Sequence, residues 1–213
     1  MMKLYGYWRS SAAYRVRIAL NLKGIAYEQE SVHLVKDGGQ QHAAAYREMN
    51  PTELVPTLVD GDLVLNQSVA ILEYLEDRIP NPPLYPADAG SRAQVKALVL
   101  DIACDIHPLN NLRVLQHLSG HLGHSEQERD EWYRHWLKVG FTGLEAKLKR
   151  TAGSYCFGDT LTMADVMLVP QVYNAYRYQL PMAEFPTIDA IATRCNELPT
   201  FQEAAPEQQP DAV

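Results

Sequence analysis

A proline-rich break, PNPPLYPADAG at residues 80–90, restricts the fold of this chain more than any other feature. Its four prolines remove backbone donors and fix φ, so neither a helix nor a central strand can run through it. It is expected to be a linker, and the sequence on either side of it has a different periodicity. Before the break, residues 3–7 read as a strand. Ser10 or Ser11 then caps a helix with Val16, Ala19 and Leu20 on one face and Gly24 at its close. Residues 27–34 form a second strand, KDGGQQ a loop, and residues 41–49 a helix that stops before Asn50-Pro51. Residues 57–59 and 63–65 flank Asp60-Gly61-Asp62, a hairpin signal. Ser68 is the expected cap of a helix carrying Ile71, Leu72 and Leu75.

The order strand, helix, strand, helix, hairpin, helix describes an α/β domain over residues 1–80, with residues 81–90 as linker. Residues 91–213 read as all-α, with helical periodicity over 91–118, 125–150, 163–178 and 187–196. The polar, proline-bearing tail EAAPEQQPDAV is expected to be loosely held. No internal repeat is visible.

Charge and cysteine content exclude several functions. The formal charge is −7, from 19 Lys and Arg against 26 Asp and Glu, with no long basic run, so neither nucleic acid nor an anionic membrane is an expected partner. The opening MMKLYGYW lacks a signal-peptide core, and no uninterrupted apolar stretch approaches the roughly 18 residues of a membrane span. Cys104, Cys156 and Cys195 are far apart and form no C-x-x-C pair, as expected of thiols in a reducing cytoplasm. The seven histidines make no ligand-spaced cluster, so no metal is expected.

Three motifs carry more information in combination than singly: Val55-Pro56-Thr57 before the hairpin, Gln67-Ser68 at the following helix, and GDTLTMAD at residues 158–165. In the last, Thr162 and Asp165 have the spacing of a helix-capping box, which is a folding element. In this order the three resemble the glutathione transferase superfamily. RSSAAYRVRIAL, NPTELVPTL, NQSVAILEYLE, IHPLNNLRVL, TAGSYCFGDTLTMADVMLVPQVYNAYRY and the closing QPD are similar to its zeta class, the maleylacetoacetate and maleylpyruvate isomerases. The resemblance runs collinearly from residue 3 to about residue 211. It implies a thioredoxin-like N-terminal domain that binds glutathione, an all-α C-terminal domain that binds substrate, a cytoplasmic homodimer, and glutathione-dependent cis–trans isomerisation of a maleyl-type diacid. A glutathione transferase of small α-halo acids, or a non-catalytic binding protein on the same frame, stays open as an alternative.

The chain departs from the class at two positions. Ala12 stands where many zeta members have cysteine, and Tyr14 where they have tryptophan. The working sulfur must therefore be that of glutathione. A thiol of pKa about 8.5 is only a few per cent ionised at neutral pH, and lowering that pKa by about two units takes roughly 2.7 kcal/mol. By resemblance, Ser10 faces the sulfur, with Ser11 the second candidate. Gln67 and Ser68 hold the γ-glutamyl end, the Val55 backbone pairs with the cysteinyl part, and Gln41 meets the glycyl end. Arg15, His107, Asn111, Leu112 and Arg113 fall on further cofactor-facing segments, although Arg15 could equally be structural and His107 a structural hydrogen-bonder. A diacid needs planar cations, and Arg9, Arg113 and Arg177 are the candidates. For Arg113 an exposed ion-pair role stays equally open.

Overall fold

The sheet is laid down by four short strands. β1 (Met2–Gly6) leads into helix α1 (Ser11–Leu22), and β2 (Tyr27–Ser31) follows. Two 3-10 turns, Lys36–Gly38 and Gln40–His42, precede helix α2 (Ala44–Met49). β3 (Thr57–Asp60) and β4 (Leu63–Asn66) are joined by Gly61-Asp62, where Gly61 takes the positive φ of +61° that the tight turn requires. Helix α3 (Ser68–Arg78) completes the segment. The strand order is β2-β1-β3-β4, with β1 parallel to β2, β3 antiparallel to β1, and β4 antiparallel to β3. This is the mixed sheet of a thioredoxin-like domain.

The computed structural model describes residues 1–212 and resolves two units, Met1–Pro83 together with the residues from Glu197 onward, and Leu84–Asn196. The C-terminal residues thus belong with the first unit, whereas the sequence assigned them to the helical domain and expected a loose tail. Two buried contacts explain the difference. α1 packs against α3 and against a helix not foreseen, α9 (Pro199–Ala204), which begins with proline in its first turn, where a missing N–H costs nothing. Arg17, 1% exposed, donates Nε to the Ala204 carbonyl (2.9 Å) and a terminal NH2 to the Trp8 carbonyl (3.0 Å). Burial lowers its pKa to about 10, while Tyr27, Tyr14 and Asp211 act in the opposite sense.

α1 therefore has no solvent face over Ser11–Leu20, and the amphipathic stripe expected from Val16, Ala19 and Leu20 is only part of its buried surface. Ile18 and Leu20, both fully buried, contribute about 1.5–3 kcal/mol each. Below the helix end, the Lys23 ammonium is enclosed by Glu76 (2.8 Å) and the carbonyls of Ile79 (2.6 Å) and Pro82 (3.1 Å).

In the second unit, α4 (Ala89–Leu100) does not continue to residue 118 as the periodicity suggested. It passes into a π-helical stretch (Asp101–Ile106) and a 3-10 turn (His107–Asn110) before α5 (Leu112–Gly120) begins. The break falls at His107-Pro108: proline disfavours helix in the residue before it and cannot donate. α6 (Glu126–Thr151) starts at a capping box made by Ser125 and Glu128. α7 (Met163–Arg177) runs through the middle of the unit, with Met163 to Val172 buried in succession. Its Thr162 and Asp165 form the expected capping box. The fully buried Asp165 carboxylate accepts from Thr162 N (2.7 Å), Thr162 Oγ1 (3.0 Å) and Cys156 N (2.8 Å). α8 (Pro186–Asn196) is capped from a distance by Glu145 of α6, which accepts from Thr187 N (3.1 Å) and Ile188 N (3.0 Å).

Candidate active site

Sheet topology brings the sequence motifs of the first unit to one edge. β1 and β4 run in the same direction, and each is followed directly by a helix, so the N-termini of α1 and α3 lie at the same end of the sheet. β3 runs the opposite way and so begins there, with Thr57 opposite Tyr5 on one side and Asn66 on the other. Ser10-Ser11, Val55-Pro56 and Gln67-Ser68 therefore converge. The Val55–Pro56 peptide is cis. Contact across the edge is direct: Arg15, buried in α1, donates to Ser68 Oγ at 3.1 Å.

The two serines are not equivalent. Ser10 is the N-cap of α1: its Oγ accepts from Ala13 N (3.2 Å) and its N–H donates to the Tyr7 carbonyl (2.9 Å). A hydroxyl that accepts in this way still has its proton to donate. Ser10 is partly exposed, whereas Ser11 is buried within the first turn. Beside them, Arg9 lies over the Trp8 ring (4.7 Å) and donates to Tyr7 Oη (3.3 Å), which fixes an otherwise flexible cation at the strand–helix junction.

At the second helix start the sequence expectation is corrected by one residue. Gln67, not Ser68, is the N-cap, and its side chain makes no capping bond. Gln67 is exposed at φ +67°, a region L side chains seldom occupy, and Ser68 is the first helical residue. The first-turn N–H groups of this helix form an anion-binding end. Gln41 is buried in its 3-10 turn, donates Nε2 to the Leu34 carbonyl (3.3 Å), and leaves Oε1 without a hydrogen-bond partner. Next to it His42 pairs with Glu53, which also meets Arg47 Nε (3.2 Å). The His42 hydrogen bond is the chief cause holding the Glu53 carboxyl below its usual range. This basic edge was not singled out from the sequence; the adjacency of Gln41 and His42 was its only signal.

These groups fit glutathione. Two helix N-termini and Gln67 offer donors to carboxylate and thiolate, the segment before β3 offers a backbone edge, and Gln41 has a buried acceptor to fill.

In the second unit, His107 opens the 3-10 turn after the π-helical stretch, and Asn111 is the N-cap of α5, its Oδ1 accepting from Arg113 N (3.1 Å). Asn111 thus has a capping role that the sequence did not indicate. Leu112 is half-exposed and Arg113 exposed at the start of α5. Arg177 is exposed at the last position of α7, with its guanidinium over the Tyr178 ring at 5.0 Å. One short stretch of α6 holds both places. The Tyr133 ring stacks on Tyr178 at 3.6 Å, its carbonyl accepts from Asn110 Nδ2 (3.3 Å), and Trp132 Nε1 donates to the Leu109 carbonyl (2.8 Å). The turn beginning at His107 and the end of α7 bearing Arg177 are thus registered to each other.

Among the described residues, no group of His, Cys, Asp and Glu could hold a metal, and no helix is long and apolar enough to cross a membrane. Cys156 and Cys195 are buried, which raises both thiols well above their ordinary pKa.

Comparison with known proteins agrees with this geometry. A family model for the N-terminal domain of glutathione S-transferases matches residues 4–83. The chain is 59% identical to a probable maleylacetoacetate isomerase of Vibrio cholerae, over 98% of this chain and 97% of that one. It superposes on the holo structure of a maleylpyruvate isomerase, a bacterial zeta-class glutathione S-transferase, with a TM-score of 0.96, 46% identity, and coverage of 99% of this chain and 100% of the other. A maleylacetoacetate isomerase from Methylobacterium extorquens AM1, solved with malonate and glutathione bound, gives a TM-score of 0.94 and 39% identity over 99% of each chain. The fold and the sheet-edge motifs are those of a glutathione transferase. The chain belongs to that superfamily and, within it, to the zeta class of maleylacetoacetate and maleylpyruvate isomerases.

Proposed function

We propose that this protein is a glutathione-dependent cis–trans isomerase of a maleyl-type diacid, maleylacetoacetate or maleylpyruvate. The observation that carries this is the convergence of Ser10, the Val55 backbone and Gln67-Ser68 at one sheet edge in a chain of the zeta class. A relative solved with both glutathione and a dicarboxylate supports the pairing of cofactor and substrate class.

Glutathione supplies a thiolate that adds to the conjugated carbon, allows rotation about the resulting single bond, and is expelled. The protein must hold that sulfur ionised. Ser10 does so by donating its hydroxyl proton while Ala13 N–H polarises its oxygen, and the positive end of the α1 dipole adds to the effect. Gln67, with Ser68 and the N-terminus of α3, takes the γ-glutamyl carboxylate and amine; Arg15 fixes the Ser68 hydroxyl from below. The Val55 backbone pairs with the cysteinyl part, and Gln41 accepts from the glycyl N–H through Oε1. Arg9, Arg113 and Arg177 bind the two carboxylates and stabilise charge that develops on the conjugated oxygen. His107, Asn111 and Leu112 line the cofactor-facing part of the helical domain, His107 as a hydrogen-bonding group. The same class membership supports a cytoplasmic homodimer, a glutathione-binding first unit and a substrate-binding helical unit.

An absorbance assay on freshly generated maleylacetoacetate and maleylpyruvate, with and without glutathione, tests the proposal. Turnover of either that depends on glutathione and is lost in Arg177→Ala is expected. Failure to turn over both, by protein that still binds glutathione, refutes it.

A further inference from the structure

Ser10 is set by the loop between β1 and α1, and that loop is held by the far end of the chain. The Trp8 peptide, two residues before Ser10 and adjacent to Arg9, is gripped on both sides. Its N–H donates to the Asp211 carboxylate at 3.1 Å, and its carbonyl accepts from Arg17 at 3.0 Å. Asp211 is itself fixed, since the same oxygen accepts from Ser31 Oγ (3.0 Å) and the other from Gln29 Nε2 (3.3 Å), both on β2. Arg17 is fixed in turn by the Ala204 carbonyl of α9. Tilting the backbone that presents Arg9 and Ser10 about Trp8 would break one or both of these hydrogen bonds.

From this geometry we infer that Asp211 is a positioning residue for the reaction: its carboxylate, bound to the Trp8 N–H, sets the direction in which Ser10 and Arg9 point. The hydrogen bonds of Asp211 go to the Trp8 N–H and to Gln29 and Ser31 of β2. With its other partners on β2, its effect on Ser10 and Arg9 passes through Trp8. Displacing a catalytic group by about 1 Å can cost on the order of a hundredfold in rate, so a clamp of this kind affects turnover more than ligand binding.

The inference rests on the proposed role of Ser10, and the test separates the two. The thiol pKa of bound glutathione is followed by thiolate ultraviolet absorbance in the parent, Asp211→Ala and Asp211→Asn, alongside kcat and KM. In folded Asp211→Ala, the bound thiol should rise by about one pKa unit and kcat at neutral pH fall about tenfold, equivalent to about 1.4 kcal/mol, with KM for glutathione within about threefold. Asp211→Asn keeps a carbonyl acceptor for Trp8 N–H, and Gln29 can turn its own amide to meet the new donor, so this variant should stay within about threefold of the parent in kcat. Should Asp211→Ala lose the fold, Asp211→Ser, whose hydroxyl is too short to reach Trp8, carries the same expectation. A parent thiol pKa no lower than that of free glutathione refutes the role of Ser10. A lowered parent value that folded Asp211→Ala retains, or equal losses in the Ala and Asn variants, overturns the clamp.

Discussion

The proposed function gives Ser10 a second duty beside its cap, and substitution can separate the two. Its Oγ caps α1 through Ala13 N at 3.2 Å, and its proton is available to the sulfur of glutathione. Removing an N-cap costs about 0.5–2 kcal/mol, and a chain of this size loses about 2–4 °C in Tm for each kcal/mol. Removing a hydrogen bond to a charged group costs about 1.5–3 kcal/mol, which for the thiolate means about ten- to hundredfold in rate at neutral pH. Ser10→Ala should show both losses. Ser10→Asp should show only the second, because aspartate is as good a cap as serine and suits a helix N-terminus, but its charge opposes a thiolate. Two like charges about 4 Å apart at an effective dielectric of about 20 repel by about 4 kcal/mol, so turnover should fall by at least about a hundredfold. Thermal melts by circular dichroism and steady-state kinetics on the same preparations give both readouts. Ser10→Asp with parental Tm and parental kcat would show that the serine is a cap and nothing more.

Further outcomes are expected elsewhere. Arg177→Ala should reduce kcat/KM for the diacid by about thirty- to hundredfold, from the loss of a charged hydrogen bond, while leaving glutathione binding by calorimetry within about twofold. Asp165→Ala leaves two buried N–H groups, of Thr162 and Cys156, without their acceptor; the expected cost is about 3–5 kcal/mol, read as a fall in Tm of roughly 10 °C. Burial acts to raise the pKa of Glu145, but the N–H groups of Thr187 and Ile188 and the nearby Lys149 outweigh it, so the folded pKa is lowered. Its contribution is complete above the unfolded pKa and is lost as pH falls through the lowered folded value. Urea midpoints should accordingly drop more between pH 5 and pH 3 in the parent than in Glu145→Gln.

Local chemistry made much of the fold legible. Asp60-Gly61-Asp62 announced the hairpin, Thr162 and Asp165 the cap of α7, and the proline run the change from mixed sheet to helices. The break at residue 107 was also written in the sequence, as Pro108, but the apolar spacing continues across it and periodicity alone runs straight through. What could not be read depends on distant partners. Nothing around Arg17 in the sequence tells that the carbonyl of Ala204 faces it, and the polar tail looks loosely held until Asp211 is known to meet Trp8. In the candidate site, residue types singled out Ser10, Gln67 and Ser68, which the topology brings to one end of the sheet. That Gln67 takes a positive φ and caps in place of Ser68, or that Asn111 is used as a cap, depends on backbone path, which side-chain pattern does not encode.

Because residues from Glu197 onward complete the first unit, the helical unit is in topological terms an insertion between Pro83 and Glu197. The sheet and α1 are therefore separated, by the length of the whole helical unit, from the residues that complete their packing. In a chain cut after Asn196, Arg17 would lack the Ala204 carbonyl and the Trp8 N–H would lack Asp211. The helical unit, by contrast, is continuous in sequence from Leu84 to Asn196. Loss of the residues after Asn196 would thus take away part of the first unit and none of the helical one.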